Sequence, residues 1–385
     1  MSELHEETIA LDELRPTHIQ VDLDRLARNY AVIAQHVAPA RVMPILKANA
    51  YGHGLVEVAR KLEAVGAPYV GVAYLEEGLR LRQHGVRMPV LIMGGIVGSQ
   101  IPRFIQHDLT LTASSVDKLQ AIDECAAALG TRARVHLKID TGMERIGIHW
   151  YSARSLLEAS QKTRHLAVEG IFTHFANADE ADFSRAKLQL ERFQEVLRYY
   201  EQHSLPMPLR HAANSGAILQ LPESHLDLVR PGVLFYGVAP ALELLPLPLP
   251  VAQAMRWSTR VVFFKVVQAG NPVSYGAAWA PQAWTRVITL PVGYGDGYMR
   301  AMSGQAEVLV RGHRAKVVGR ICMDQIMVDI ERSSAWNGDE VVLLGEAEGG
   351  AIGVEELARW AGTIPHEVLT SINTRVPRTY VGRAS

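Results

Sequence analysis

Lys47 is placed where the amine of a lysine could act as a nucleophile. It follows the apolar run at residues 42–46 and precedes a glycine-containing segment that ends at Gly54. The run predicts a buried strand, and the glycines predict a loop that leads into a helix. Burial at a strand end lowers the pKa of an amine, and a neutral amine can form an imine with a carbonyl group. The alternative is a lysine that reaches solvent at the edge of the core, and these features alone leave both open.

Further polar side chains stand at the ends of later apolar runs or directly after them. They are Lys138, Asp140, His174, Asn214, Ser215 and Arg230. In a barrel of parallel strands the carboxyl ends share one face, and the catalytic groups come from that face. Their common position therefore predicts one site, whereas His174 by itself would more often be an ordinary core histidine.

The segments after the last two runs could bind a phosphate group. They contain the hydroxyl of Ser215 and the backbone amides of Gly216, Gly232 and Val233. Glycine lets a backbone approach an anion closely, and the loops after strands seven and eight are the usual phosphate site of such barrels. Turn glycines without a ligand are the alternative.

Eight apolar runs could form the strands of one domain. They lie at residues 42–46, 69–73, 90–94, 109–112, 135–139, 168–173, 209–212 and 228–229. Helical patterns lie between most of them, at residues 55–65, 75–83, 116–129 and 183–200, with Ser114 or Ser115 as the N-cap of the third. The alternation predicts an α/β fold with a (β/α)8, TIM-type barrel, and a doubly wound open sheet is the alternative.

A change of pattern near residue 251 predicts a second domain. The segment 241–251 contains three prolines, which interrupt helices and central strands. The β-branched runs after it predict a mostly β C-terminal domain of antiparallel strands with one helix at residues 354–360. We place the barrel at residues 18–250 and the β domain at 251–385, with the segment 1–17 packing on the β domain. A strand at residues 18–23 exceeds the count of eight and belongs either to the β domain or to a cap on the barrel.

Composition excludes several kinds of partner. Lys and Arg number 39 and Asp and Glu number 40, so no net charge attracts nucleic acid or an anionic membrane. The N-terminus lacks the apolar run of a signal peptide, and no stretch approaches the length of a membrane span. Cys125 and Cys322 lack metal-ligand spacing and suit reduced core thiols. We expect a cytoplasmic protein without a metal ion.

Several segments together resemble the alanine racemase family. Residues 47–54 are similar to the segment of that family that carries the cofactor lysine, and the resemblance continues in order through both domains. The other segments are KIDTGMERIG (138–147), FTHFA (172–176), HAANS (211–215), VRPG (229–232), VSYG (273–276), GRICMDQ (319–325) and RVPR (375–378). The resemblance implies a barrel followed by a β domain, the cofactor pyridoxal 5′-phosphate (PLP) and racemisation of alanine.

The resemblance also implies which residues bind the cofactor. Lys47 would bind PLP covalently, and Arg230 would face its pyridine nitrogen. Arginine suits that place because it stays protonated and donates hydrogen bonds. The other cofactor contacts, mainly to the phosphate, would come from Tyr51, His174, Asn214, Ser215, Gly232 and Val233.

Racemisation needs two acid–base groups, because a proton leaves one face of Cα and returns on the other. The resemblance gives Lys47 as the first group. It gives Tyr275, supplied by the second subunit of a homodimer with shared active sites, as the other. A phenol acts as a base where cations stabilise the phenolate, and His174 hydrogen-bonded to Arg230 is the family's candidate for that neighbourhood.

The substrate contacts are likewise implied by the resemblance. Arg145 would bind the substrate carboxylate, and Met323 and Asp324 would contact it from the partner subunit. Lys138 would be carbamylated, as in many family members, and Tyr294 would line the entrance channel. Thr374 departs from the pattern, because several relatives have a tyrosine there. A wider pocket that also accepts serine is therefore expected. The product would be D-alanine for peptidoglycan, or the reaction would serve to degrade it.

Two other functions share part of this pattern. A PLP-dependent decarboxylase of basic amino acids has the same two-domain architecture, but such enzymes usually place a glutamate where this chain has Arg230. A PLP-binding protein without turnover resembles the barrel alone and would be a monomer, whereas the racemase needs a dimer.

Overall fold

The structure is a computed structural model that describes residues 15–382. Within that range it forms two compact units, one of residues 23–252 with Gly382 and one of residues 15–22 with 253–381. The first strand, β1 (His18–Asp22), belongs to the second unit, because it pairs with residues 255–258 and 378–381. The barrel limit predicted at residue 18 is therefore too early. Residues 1–14 of the predicted N-terminal segment lie outside the described range.

The unit of residues 23–252 alternates short parallel strands with helices. Its strands are β2 (Arg41–Val42), β3 (Val70–Val72), β4 (Val90–Ile92), β5 (Leu111–Ala113), β6 (Ala133–Asp140), β7 (Ile148–His149), β8 (Leu166–Phe172), β9 (Leu209–His211) and β10 (Leu228–Val229). Its helices are α1 (Leu23–Val37), α2 (Lys47–Tyr51), α3 (Leu55–Ala64), α4 (Leu75–Gln83), α5 (Ile101–Gln106), α6 (Val116–Ala128), α7 (Ala153–Ser160), α8 (Ser184–Gln202) and α9 (Ser215–Gln220).

These strands close into a barrel. Regular parallel pairing joins β10 to β2, β3 to β4, and the run β5, β6, β8 and β9. Single bridges from Ile45 to Gly71 and from Leu91 to Thr110 complete two seams. The last seam is closed by the backbone bond from Arg230 N to Ala213 O, at 2.9 Å. Apart from β7, which pairs only with β6 among the described residues, eight strands form the ring, so the predicted (β/α)8 barrel is confirmed.

The first barrel strand is less regular than the sequence predicts. Ladder pairing covers Arg41 and Val42 and resumes at the Ile45 bridge, instead of running through residues 42–46. Pro44 lies in the gap, and proline has no N–H to donate to a ladder. Met43 and Leu46 are nevertheless fully buried, so the segment still anchors the lysine that follows it.

The other unit is a mostly β domain. Its further strands are β11 (Met255–Arg260), β12 (Phe263–Val267), β13 (Thr285–Leu290), β14 (Glu307–Val310), β15 (His313–Val318), β16 (Ile326–Asp329), β17 (Glu340–Ala347), β18 (Gly350–Ile352) and β19 (Arg378–Val381). Its helices are α10 (Val354–Ala361) and α11 (Pro365–Ser371). Within the described residues the order of the main sheet is β12-β13-β16-β15-β14-β17-β11-β1-β19. The pairing is antiparallel as predicted, except that β1 and β19 run parallel.

The carboxylate of Asp296 connects three segments of this β unit. It accepts hydrogen bonds from both terminal nitrogens of Arg15, at 2.9 and 2.7 Å, from Arg375 Nε at 2.7 Å and from Gly293 N at 3.0 Å. The Asp296 side chain is 0% exposed. Burial raises its pKa, but the two arginines and the backbone bond outweigh that effect and lower the pKa overall.

We expect Asp296→Asn to lower the free energy of unfolding by about 3 kcal/mol at neutral pH, because it removes the buried negative charge that pairs with both Arg15 and Arg375. The folded-state pKa is lowered, so the contribution of Asp296 is complete above its unfolded pKa of about 4. It disappears as the pH falls through the folded value. Urea unfolding of both proteins at neutral and at acidic pH measures this difference. The exposed pair Arg256–Glu340 provides the control Glu340→Gln, with an expected loss below about 1 kcal/mol. A difference between the Asp296 proteins that persists unchanged into acid would contradict the assignment.

In the part of the chain that the structure describes, no helix is both long and apolar enough to cross a membrane.

Candidate active site

Lys47 directly precedes a left-handed turn, which comprises residues 48–51. Ala48, Asn49, Ala50 and Tyr51 all have positive φ angles, between 50° and 57°. L-residues disfavour this conformation by roughly 1–2 kcal/mol each, so the surrounding structure must hold the turn. The side-chain oxygen of Asn49 accepts from Leu55 N at 3.0 Å and ties the turn to the start of α3. Strain of this kind is typical of functional segments.

Lys47 faces a cationic cavity of about 420 Å³ at the carboxyl ends of the barrel strands. The cavity is lined by Lys47, Ala73, Tyr74, Met93, Gly94, Gly95, Lys138, Arg145, Ile146, Phe172, His174 and Arg230. Burial lowers the pKa of Lys47, and the charge of Arg145 lowers it further. A larger fraction of the amine is therefore neutral, which is the nucleophilic form. The site thus combines a reactive amine with surroundings that favour an anion.

Lys138 lies on the last part of β6 and is 4% exposed. Its amine stands 4.5 Å from the centre of the Phe172 ring. Burial, together with the charges of Arg230 and Arg145, holds the pKa of Lys138 well below its usual value, although Asp140 opposes the shift. The carboxylate of Asp140 accepts hydrogen bonds from the backbone N–H groups of Gly142, Met143 and Arg145, in the loop that follows β6.

Arg230 is fixed in the barrel by neutral partners. One terminal nitrogen donates to His211 Nδ1 at 2.9 Å, and the other donates to the carbonyls of Thr173 and Ala212 and to His174 Nδ1 at 3.3 Å. Burial lowers the pKa of Arg230 to about 9, which leaves it cationic at neutral pH. Burial and the guanidinium hold the pKa values of His174 and His211 well below their usual range, so both rings are neutral.

This arrangement sets the tautomers of a buried chain of histidines. Arginine only donates, so the Nδ1 atom of His211 must accept and its Nε2 must carry the hydrogen. His211 Nε2 then donates to His136 Nδ1, at 2.8 Å. Burial, with the nearby Arg230, lowers the pKa of His136 to about 3, and a Cβ on Gly170 would lie 2.5 Å from its ring. The ring therefore requires glycine at position 170.

Three residues form a small cradle beside α9. A Cβ on Gly232 would lie 2.8 Å from the hydroxyl oxygen of Tyr51 and 3.6 Å from Ser215 Oγ. Ser215 Oγ accepts from Gly232 N at 2.9 Å and from Leu234 N at 3.4 Å. The structure therefore brings together Tyr51, Ser215 and Gly232, and Val233 follows directly as the first residue of the buried turn Val233–Tyr236.

Asn214 caps helix α9 and is not one of the three cradle residues. Its side-chain oxygen accepts from Ala217 N at 3.0 Å and caps α9, and its amide lies 3.5 Å from Phe175 O. It therefore orients the segment that carries Ser215.

The remaining predicted residues lie in the β unit. Tyr275 is 70% exposed in the turn Tyr275–Ala277, and φ is positive at Ser274 before the turn and at Gly276 within it. Gly276 has a φ angle of 72°, a left-handed conformation that favours glycine at this position. Met323 is 53% exposed.

Arg375 holds the neighbouring loops of the β unit together. It reaches Asp324 at 2.8 Å while it contacts Asp296. The backbone of Tyr294 donates to Cys322 O at 3.0 Å, which places the Tyr294 turn beside the Met323 segment. Thr374 is exposed, and its hydroxyl contacts Asn373 at 3.4 Å.

The prediction from sequence did not assign roles to three residues of the barrel site. His211 and His136 lie within predicted strands. The position of His211 near the carboxyl end of its strand was an available signal, whereas His136 lies in the first half of its strand and gave no such signal. Glu77 is the third, and its side chain accepts from Ala48 N directly after Lys47. Its signal was a glutamate in the first turn of a predicted helix, which usually indicates capping alone.

Comparisons with known proteins agree with this architecture. The chain matches the family models described as "Alanine racemase, N-terminal domain" over residues 21–240 and "Alanine racemase, C-terminal domain" over residues 254–380. The alanine racemase of Carboxydothermus hydrogenoformans is 42% identical over 369 residues, which are 96% of this chain and 100% of that protein. The crystal structure of alanine racemase from D-cycloserine producing Streptomyces lavendulae is 37% identical with a TM-score of 0.91, over 96% of this chain and 98% of that one.

A third relative is described with a cofactor. The alanine racemase from Bartonella henselae with covalently bound pyridoxal phosphate is 28% identical with a TM-score of 0.86, over 96% of this chain and 100% of that one. The two solved structures share the fold of the chain, a barrel followed by a mostly β domain. The chain belongs to the alanine racemase family, whose cofactor is PLP.

Proposed function

We propose that this protein is a PLP-dependent racemase that interconverts L-alanine and D-alanine. The observation that carries the proposal is the combination, on one barrel rim, of an amine with a lowered pKa and a cradle of hydroxyl and amide groups. Family membership supports alanine as the substrate.

The residues present fit PLP. The cradle of Tyr51, Ser215 and Gly232, followed by Val233, would hold the phosphate, and Asn214 would fix the segment that carries Ser215. Lys47 would bind the cofactor carbonyl, with His174 beside it. The remaining donors of Arg230 would face the pyridine nitrogen, since its terminal nitrogens already bind His211, His174 and two carbonyls. When bound, PLP supplies electron withdrawal that acidifies the substrate Cα–H.

The chain's own groups would then move the proton. Lys47 would take or return it on one face of Cα, and Tyr275 of the partner subunit would act on the other face. Supporting this role, Tyr275 is held on a turn with most of its side chain exposed, so it is available to a second chain. The protein would therefore act as a homodimer with shared active sites.

Arg145 would bind the substrate carboxylate, because its planar fork matches two oxygens. Met323 and Asp324 of the partner subunit would frame the same group, and Tyr294 would line the channel. Thr374 is short and exposed, which supports serine as a secondary substrate. The reaction would supply D-alanine for peptidoglycan or degrade it, in the cytoplasm.

We also propose that Lys138 is carbamylated. A neutral amine is the form that adds CO2, and the lowered pKa of Lys138 increases that form. The addition forms an N–C bond and releases one proton to solvent. The product is a carbamate anion, which would offset the charges of Arg145 and Arg230 around the cavity. A crystal structure grown with bicarbonate should show density for three further atoms on Nζ. An unmodified amine in a well-resolved map would contradict the proposal.

The test of the function is the appearance of the opposite enantiomer from L-alanine, D-alanine and L-serine with purified, PLP-loaded protein. We expect fast turnover of alanine in both directions and slower turnover of serine. Release of CO2 without inversion would indicate a decarboxylase, and bound PLP with no reaction in a monomer would indicate a binding protein.

A further inference from the structure

Glu77 connects the two loops that follow the first two barrel strands. Its Oε1 atom accepts a hydrogen bond from Ala48 N at 2.6 Å, directly after Lys47. Its Oε2 atom accepts from Ala73 N at 2.8 Å and from Tyr74 N at 3.2 Å. The two oxygens therefore serve different partners in the same unit.

The Oε2 contacts alone would be ordinary helix capping. Glu77 is the third residue of α4, and a glutamate there commonly reaches back to the N-cap backbone, here that of Tyr74. The Oε1 contact is different, because its donor lies 29 residues earlier in the chain. That donor opens the left-handed turn of residues 48–51, which intrinsic backbone preference does not maintain.

We propose that Glu77 is a positioning residue for Lys47. Its Oε1 atom accepts from the first N–H of the left-handed turn, and this contact fixes the direction of the lysine side chain at the barrel rim. This inference rests on the proposed function, since it concerns capture of PLP by Lys47. The charge of Glu77 raises the pKa of Lys47. Loss of that charge would by itself increase the neutral amine, so weaker capture in Glu77→Gln would report the lost contact and not the lost charge. Loss of the contact frees the turn to relax toward the right-handed conformation, which redirects the amine.

Two substitutions separate the contact with Ala48 from the capping role. Glu77→Gln keeps the size but places an NH2 group against one set of N–H donors. Glu77→Asp keeps the charge and can still cap α4, but it is one methylene shorter and withdraws from Ala48. Glu76→Gln is the matched control, because Glu76 is the exposed neighbour on the same helix.

Two measurements on the full chain test the proposal. The first titrates each protein with PLP, reduces the adduct with borohydride and measures the labelled Lys47 peptide by mass spectrometry. The second measures amide hydrogen exchange over residues 48–54, which needs no cofactor. We expect about tenfold weaker capture and about tenfold faster exchange in both Glu77 variants, with Glu76→Gln within about twofold of the unchanged protein.

Capture within about twofold of the unchanged protein in both Glu77 variants would overturn the proposal, whether or not exchange became faster. If Glu77→Gln does not fold, Glu77→Asp decides by the same criterion. Failure of the unchanged protein to take up PLP at Lys47 would instead refute the proposed function.

Discussion

Lys47→Ala should reduce racemisation of alanine by about 10⁴-fold or more, because it removes both the covalent attachment of the cofactor and one acid–base group. Among the described residues, no other amine occupies the position of Lys47. Lys138 is the second lysine in the cavity, and it is buried against Phe172. The variant should still fold, since its side chain is at the rim. Initial rates with L-alanine and with D-alanine, at saturating PLP, measure the effect.

The control for this prediction is Lys187→Ala, which removes an exposed lysine from α8. It should leave the rate unchanged. A small primary amine such as methylamine should restore part of the lost activity to Lys47→Ala, because it replaces the missing proton acceptor. Activity of Lys47→Ala near that of the unchanged protein would show that another group holds the cofactor.

Tyr275→Phe should lower racemisation by about 10²–10⁴-fold, since the ring remains and only the acid–base hydroxyl is lost. The loss of Cα proton transfer should affect one enantiomer of alanine far more than the other. In deuterated water one enantiomer of alanine should still exchange its Cα hydrogen, through Lys47, without inversion. The other enantiomer should exchange far more slowly. Proton NMR of the alanine methyl and Cα signals measures exchange and inversion in the same sample.

Tyr151→Phe is the matched control, because Tyr151 is another exposed tyrosine, at 66% exposure. It should affect neither exchange nor inversion. Equal slowing of exchange for both enantiomers in Tyr275→Phe would contradict its assignment to one face of Cα and would indicate a structural role for the hydroxyl.

Local patterns in the sequence predicted much of the barrel. The helix predicted at residues 75–83 is α4 with the same bounds, and Ser115 caps α6 by accepting from Lys118 N at 3.2 Å. Both follow from apolar spacing and capping chemistry, which act within a few residues. The short helices α5, α7 and α11 were missed, because six to eight residues carry little periodic signal.

The features that sequence did not predict depend on distant partners. The place of β1 is decided by residues more than 200 positions away in β11 and β19. The left-handed turn after Lys47 contains no glycine between residues 48 and 51, so local preference gives no sign of it. The chain from Arg230 through His211 to His136 forms only when three strands come together in the barrel. The candidate site could be outlined from residue types, but its geometry could not.

The most direct test of the account mixes two inactive proteins. Lys47→Ala and Tyr275→Phe are co-expressed with different tags, and the mixed dimer is purified and assayed with L-alanine. If each site takes Lys47 from one subunit and Tyr275 from the other, one site of the mixed dimer is intact and the other lacks both groups. We expect about half of the unchanged activity in the mixed dimer, or about a quarter in a statistical mixture. A mixed dimer as inactive as its two parents would show that both residues act within one chain and would contradict the shared active site.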